Sequence, residues 1–380
     1  MSTLYELRQS RPTWAEVDLD RFESNIDVIA RSLPEGARLV AVLKADGYGH
    51  GAIELARRLT ADIVAMIAVA LVEEALELRR AGIALPLFVL GPLANDQIRI
   101  ALDHDVTIGV VGPEELALVC SVARERDITI HLKLDSGMGR MGVVESELPG
   151  VIEMTPRLRI GGIYTHFASA DDAADPFTEM QIANFDRMVA TLRGNGIEAP
   201  LHHLANSAAM LRGLVRPGDF ARVGIALYGP QTIAMATGTI EPVIRWRTEI
   251  MRLKELPAGH VIGYGKTFQT SRPSRIATLP VGYADGYDRL LSNRAEVLVR
   301  GRRVPVVGRV SMDLITIDVT DIPDATAGDE VILLGDGITA EDLAAWGQSV
   351  SYEVFCRISA RVPRVYVDGG TFRVRSRFAE

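Results

Sequence analysis

A chain of 380 residues has room for a large barrel plus an accessory domain, and its 48% hydrophobic and 24% charged content excludes a disordered or low-complexity protein. A net charge of −8 offers no basic surface to nucleic acid or anionic lipid, so an anionic ligand has to be captured by a local cluster of donors. Two cysteines, Cys120 and Cys356, are too few for a disulfide framework and are expected as inert core thiols.

In chain order, the opening MSTLYELRQSRPTW has scattered charges and no secretory apolar stretch. The longest apolar run, from Ile63 to Val72, is about half a membrane span, so a cytoplasmic protein with no membrane partner is expected. From Arg38 onward, eight short apolar runs follow one another: RLVAVLK, IVAMIAVA, LFVL, VTIGVV, ITIHLKL, IGGIYTH, LHHLA and ARVGIALYG. Amphipathic stretches such as GAIELARRL, EEALELRRAG, PEELALVCSVARER and TEMQIANFDRMVATLRGNG separate them, with Pro113 where an N1 proline belongs and Gly194 near a helix stop. Strand and helix in alternation predict a parallel sheet, and eight repeats without a GxGxxG loop after the first strand favour an N-terminal TIM (β/α)8 barrel over an open doubly wound sheet. After Glu241 the rhythm becomes β-branched runs and turns, as in VIRWRTEIMRLKEL, AEVLVRGRRVPVVGRV, LITIDVT and DEVILLG. The expected division is a barrel over 11–240 and a mostly β domain over 241–380, with residues 1–10 assigned to pair with the second domain.

Barrel chemistry sits at the C-terminal ends of the strands. Lys44 closes the first run, ahead of the glycine-rich ADGYGHG, where desolvation lowers a lysine's pKa and readies the amine for a Schiff base. Arg140 lies on KLDSGMGRMG after the fifth run, and its guanidinium fork suits a carboxylate. His166 ends the sixth run; His203, Asn206 and Ser207 follow the seventh; Arg222, Gly224 and Ile225 lie in the eighth. The loops after the last two strands commonly seat phosphate, which Ser207 and the amides near Gly224 and Ile225 fit. A lysine, a phosphate seat, a carboxylate fork and an arginine together suit pyridoxal phosphate bound to an amino acid.

At these residues the chain resembles the alanine racemases. AVLKADGYGHG, KLDSGMGRMG, HHLANSAA, ARVGIALYG, GYGKTF, VGRVSMD and CRISARVPR match that family in order and spacing, and TWAEVDLDRFESNI looks like its opening segment. The resemblance implies a PLP-dependent racemase of fold type III that interconverts L- and D-alanine and supplies D-alanine for peptidoglycan. It implies Lys44 as the cofactor lysine, with Tyr48, Ser207 and Tyr352 at the phosphate, Arg222 at the pyridine nitrogen and Arg140 beside the substrate. Tyr264 and Met312 are implied to reach the site from the partner of a homodimer, with Lys44 and Tyr264 as the two proton-transfer residues. Arg222 and His166 are expected to acidify the Tyr264 phenol. Lys133 matches a lysine carbamylated in many relatives. Asp46 and Gly47 stand where Asn and Ala are common, so Gly47 is expected to loosen the loop before Tyr48. A decarboxylase on the same fold places a reactive cysteine in a different context from CRISARVPR, and single-domain pyridoxal-phosphate carriers lack a second domain.

Overall fold

The computed structural model describes residues 11–122, 128–155 and 158–376; residues 1–10, whose pairing with the second domain is expected above, lie outside them. The first strand, β1 (Thr13–Asp18), leads through an Asp18 cap, whose side chain accepts from the Arg21 amide, into helix Leu19–Ser32. The barrel strands follow: β2 (Arg38–Val42), β3 (Val64–Val69), β4 (Leu87–Val89), β5 (Val106–Val110), β6 (Thr129–Lys133), β7 (Arg159–Tyr164), β8 (Leu201–His203) and β9 (Phe220–Val223). All neighbours from β2 to β8 pair in parallel, β9 pairs with β2, and the Arg222 amide donates to the Ala205 carbonyl at 2.9 Å where β9 meets the end of β8. An N-terminal (β/α)8 barrel is therefore present, as expected. Its strands are buried on both faces, which is why they read as continuous apolar runs rather than as alternation.

Helices Val72–Arg80, Pro113–Val122 and Phe177–Gly194 occupy the predicted amphipathic stretches, with Pro113 opening its helix and Gly196 at φ +78° just past the end of the longest. The eighth run breaks off earlier than its apolar composition predicts. β9 ends at Val223, Gly224 turns the chain, and Ile225–Tyr228 form one helical turn whose four residues are all buried. Burial on every side hides the change of period from the sequence.

The C-terminal half is mostly β. A seven-stranded sheet runs in the order Arg302–Pro305, Glu296–Val299, Glu330–Leu334, Ile244–Glu249, β1, Arg364–Asp368, Thr371–Arg375, beside a three-stranded sheet of Arg252–Leu256, Ser274–Leu279 and Ile315–Asp318. Although β1 falls within 11–240, it is antiparallel to Ile244–Glu249 and parallel to Arg364–Asp368, so the described chain runs from the second domain's sheet into the barrel. Buried Asn25 marks the return crossing: its amide donates to the Leu227 and Glu241 carbonyls at 3.0 and 2.8 Å and accepts from the Glu241 N–H at 2.8 Å. Two helices that β-branched patterning does not announce, Ala340–Gly347 and Ser351–Arg357, pack beside the sheets. Neither cysteine is in the core as expected: Cys356, on the second of these helices, is exposed, and Cys120 is half-buried. Among the described residues no helix is long and apolar enough to cross a membrane.

Candidate active site

The C-terminal mouth of the barrel holds a cavity of about 330 Å³. Eleven of the residues singled out by sequence line it: Lys44, Tyr48, Lys133, Arg140, His166, Asn206, Ser207, Arg222, Gly224, Ile225 and Tyr352. Tyr264 and Met312 do not. They sit on neighbouring loops of the second domain, where the Gly263–Gly265 turn packs on Arg309 and the Met312 carbonyl accepts from the Ala284 amide at 3.0 Å. Tyr264 is 73% exposed and Met312 53% exposed, so neither is the packed side chain that a strand tyrosine or a gap-filling methionine usually is.

Lys44 follows β2 after Leu43 and opens a turn in which Ala45, Asp46, Gly47 and Tyr48 all have φ between +52° and +62°. A left-handed turn with three non-glycine residues costs about 1–2 kcal/mol per residue and persists only where bonds over-determine it. The Gly49 amide donates to the Ala45 carbonyl and the Gly51 amide to the Asp46 carbonyl, both at 2.8 Å. The Asp46 carboxylate accepts the Ala52 amide at 2.8 Å, and Glu74 accepts the Ala45 amide at 2.5 Å. Gly47 therefore relieves strain in this turn rather than loosening it. The Lys44 amine lies 5.9 Å from the Tyr48 ring centre; burial first, and the Arg140 charge second, hold its pKa below the ordinary lysine value.

On the floor of the cavity, buried Arg222 is fixed by backbone carbonyls. One terminal nitrogen donates closely to His203, the other to Thr165 at 2.5 Å and to Leu204 at 3.4 Å. The second nitrogen also lies 3.4 Å from His166 Nδ1. Burial lowers Arg222 to about 10, so it stays cationic at neutral pH. His166 is pushed to about 3 by burial and then by the Arg222 charge, so it stays neutral. This corrects one expectation: His166 offers a hydrogen bond, not a positive field, and the guanidinium cations here are Arg222 and Arg140.

On the opposite wall the Ser207 hydroxyl accepts the Gly224 amide at 2.9 Å and the Ala226 amide at 3.4 Å, which leaves its own proton to donate into the cavity. A Cβ on Gly224 would stand 2.5 Å from the Tyr48 hydroxyl, so glycine makes room for that phenol, and Tyr352 packs at 6.0 Å between ring centres. Asn206 spends its side-chain oxygen capping helix Ser207–Leu211, accepting the Ala209 amide at 3.0 Å. Lys133, also on the wall, is lowered to about 8 by burial and the Arg140 charge.

Sequence reasoning missed Tyr164, whose buried ring stacks on His203 at 4.9 Å and lies under the Arg222 guanidinium at 5.4 Å. It is the last residue of β7, two residues before His166, so its place at the C-terminal end of a barrel strand carried the signal. Val42, Ala70, Leu90, Gly91 and Met141 complete the lining and carry no chemistry that a sequence would flag.

Residues 17–232 match the family model "Alanine racemase, N-terminal domain" and residues 243–366 match "Alanine racemase, C-terminal domain". An alanine racemase of Halothermothrix orenii is 43% identical over 371 residues, covering 94% of this chain and 98% of the relative. Among solved structures, the alanine racemase of Clostridium difficile 630 superposes with a TM-score of 0.90 at 34% identity, covering 97% of this chain and 100% of the other. That of Bartonella henselae, with covalently bound pyridoxal phosphate, does so with a TM-score of 0.85 at 25% identity, over 94% and 100% of the two chains.

Proposed function

The chain belongs to the alanine racemase family, and from that premise we propose that it interconverts L- and D-alanine using pyridoxal phosphate held by Lys44, with Tyr264 of a partner subunit as the second proton-transfer group. The observation that carries this reading is a lysine amine with a lowered pKa sharing one cavity with an anchored arginine, a serine hydroxyl and three tyrosines. The residues fit the cofactor. The Tyr48 and Ser207 hydroxyls beside Gly224 offer donors to a phosphate, and the cavity volume falls in the range of small-molecule sites. When bound, pyridoxal phosphate supplies an aldehyde that condenses with amines and a conjugated ring that withdraws electrons from the substrate Cα.

The protein's own residues supply the rest. Arg140, at the rim, is available to a substrate carboxylate as a paired donor. Arg222 donates and cannot accept, so it would hold a cofactor ring nitrogen by donating to it and would offer no acceptor for a proton there. Racemisation needs one group on each face of Cα. Lys44, its pKa lowered by burial, serves the face of D-alanine, and Tyr264 serves that of L-alanine. Exposure of Tyr264 and Met312 within one chain supports their working across a dimer interface. We assign the D-alanine to peptidoglycan supply in the cytoplasm, which a D-alanine requirement in a strain lacking the gene checks.

The direct experiment is racemisation of L-alanine by the purified protein loaded with pyridoxal phosphate, followed by borohydride reduction and peptide mapping. Pyridoxyl mass on Lys44, and no activity in Lys44→Ala, are expected. Activity retained in Lys44→Ala, or label at another lysine, would defeat the reading.

A further inference from the structure

The turn that carries Lys44 is held from outside the barrel. Four ties run to residues 46–58 from the hairpin Arg364–Asp368/Thr371–Arg375, the last strands of the C-terminal domain. Buried Arg364 donates from Nε and one terminal nitrogen to the Gly49 carbonyl, at 3.0 and 2.9 Å. Its remaining donors go to the Ile358, Ser359 and Val362 carbonyls at 2.5, 2.6 and 2.8 Å, so the guanidinium bolts the turn to the second domain's backbone. Arg375 pairs with Asp46 at 3.1 Å, Arg373 with Glu54, and Asp368 with Arg58. Gly49 lies directly after the left-handed run Ala45–Tyr48, whose conformation aims both Lys44 and Tyr48.

We propose that Arg364 is a positioning residue for Lys44 and Tyr48, holding their left-handed turn through the Gly49 carbonyl, with the Asp46–Arg375 pair as an outer, salt-sensitive tie. The role rests on the reading of Lys44 as the cofactor lysine. Asp46 gives Arg375 a charged partner on the turn itself. The buried tie has no water to replace it, whereas Asp46 and Arg375 are both about half exposed and screened by salt.

The test uses cofactor-free full-length protein and hydrogen exchange at the amides of residues 47–52, which are bonded within the turn or to Asp46. Arg364→Lys, which keeps the charge and loses the paired donors, is expected to speed exchange there by about tenfold, with the amides of β4–β6 unchanged. Arg375→Gln is expected to give about a twofold increase, and wild-type protein in 1 M salt, a condition that screens exposed pairs, should match it. In the loaded protein, Arg364→Lys should move the pH midpoint of the lysine–cofactor absorbance and shorten cofactor residence. Unchanged exchange at 47–52 in Arg364→Lys, or acceleration spread evenly through the barrel, overturns the proposal. Should that variant not fold, unaltered local exchange in Arg375→Gln overturns the outer tie, and unaltered exchange at 47–52 in Arg364→Gln overturns the inner one. A wild-type protein that takes no cofactor on Lys44 would defeat the functional reading while leaving the exchange result to decide the clamp.

Discussion

At the scale of single residues, charge state separates side chains that look interchangeable in the sequence. His166 and Arg222 are both polar groups at the end of a barrel strand, yet burial strips the histidine of its proton and leaves the arginine charged. The pH profile of turnover is accordingly expected to lack a step from His166 between pH 5 and 8, and His166→Asn to leave the shape of that profile unaltered while lowering its height. A step near pH 6.5 that vanishes in His166→Asn would contradict the neutral ring. For Tyr264 the expectation is directional. Tyr264→Phe should cut solvent-deuterium exchange into L-alanine by about a hundredfold or more, with a far smaller loss from D-alanine, because Lys44 still serves the other face. Equal and mild losses in both directions would remove the phenol from this role.

At the scale of elements, the turn after β2 decides where the chemistry points. Gly47 has φ +62°, and a Cβ there would approach Leu55 Cδ1 to 2.9 Å, so Gly47→Ala is expected to cost about 1 kcal/mol, read as a lower urea midpoint at unchanged slope. Gly51→Ala should cost more, because its Cβ would fall 1.9 Å from the Tyr366 hydroxyl and push the C-terminal hairpin off the turn. Much of this architecture is legible before any coordinates. Eight apolar runs locate eight barrel strands because both of their faces are buried, and polar residues just beyond those runs mark the cavity. What the runs do not carry is the left-handed winding of Ala45–Tyr48, the helical turn at Ile225–Tyr228, or the membership of β1 in the distant sheet. Each depends on contacts made by residues far away in the chain, such as Glu74 on Ala45 and Pro363 on Ala15. Tyr264 and Met312 are a different case, since an exposed tyrosine and methionine acquire meaning from the family resemblance and not from local pattern.

At the scale of the whole molecule, two properties are open to measurement. Mixing refolded Lys44→Ala and Tyr264→Phe proteins, each inactive toward L-alanine, should restore about a quarter of wild-type activity. Half of the dimers are then mixed, and each has one intact site if Tyr264 crosses the interface of a twofold dimer. No recovery would mean that both residues act within one chain. The second property is stability against acid. His50 and His166 are lowered to about 3, His131 to about 4, and His203 well below its usual range, burial being the first cause in each. Because the unfolded chain binds these protons from about pH 6.5 downward and the folded chain does not, the stabilisation is complete above that pH and is lost as pH falls from 6.5 toward 4. The upper limit is about 1.4 kcal/mol per pH unit for each histidine, and urea midpoints at pH 7.5 and 5.5 measure it.

The pairing of β1 with Arg364–Asp368 brings together stretches that leave the ribosome at widely separated times. A growing polypeptide exposes Lys44 long before Arg364 and Arg375. Until they emerge, the turn lacks the grip that keeps it wound against its strain. Competence to take up vitamin B6 is therefore expected to follow emergence of the Arg364–Arg375 hairpin rather than closure of the barrel, and chains cut before Arg364 are expected to take up the cofactor poorly even when every residue lining the pocket has been made.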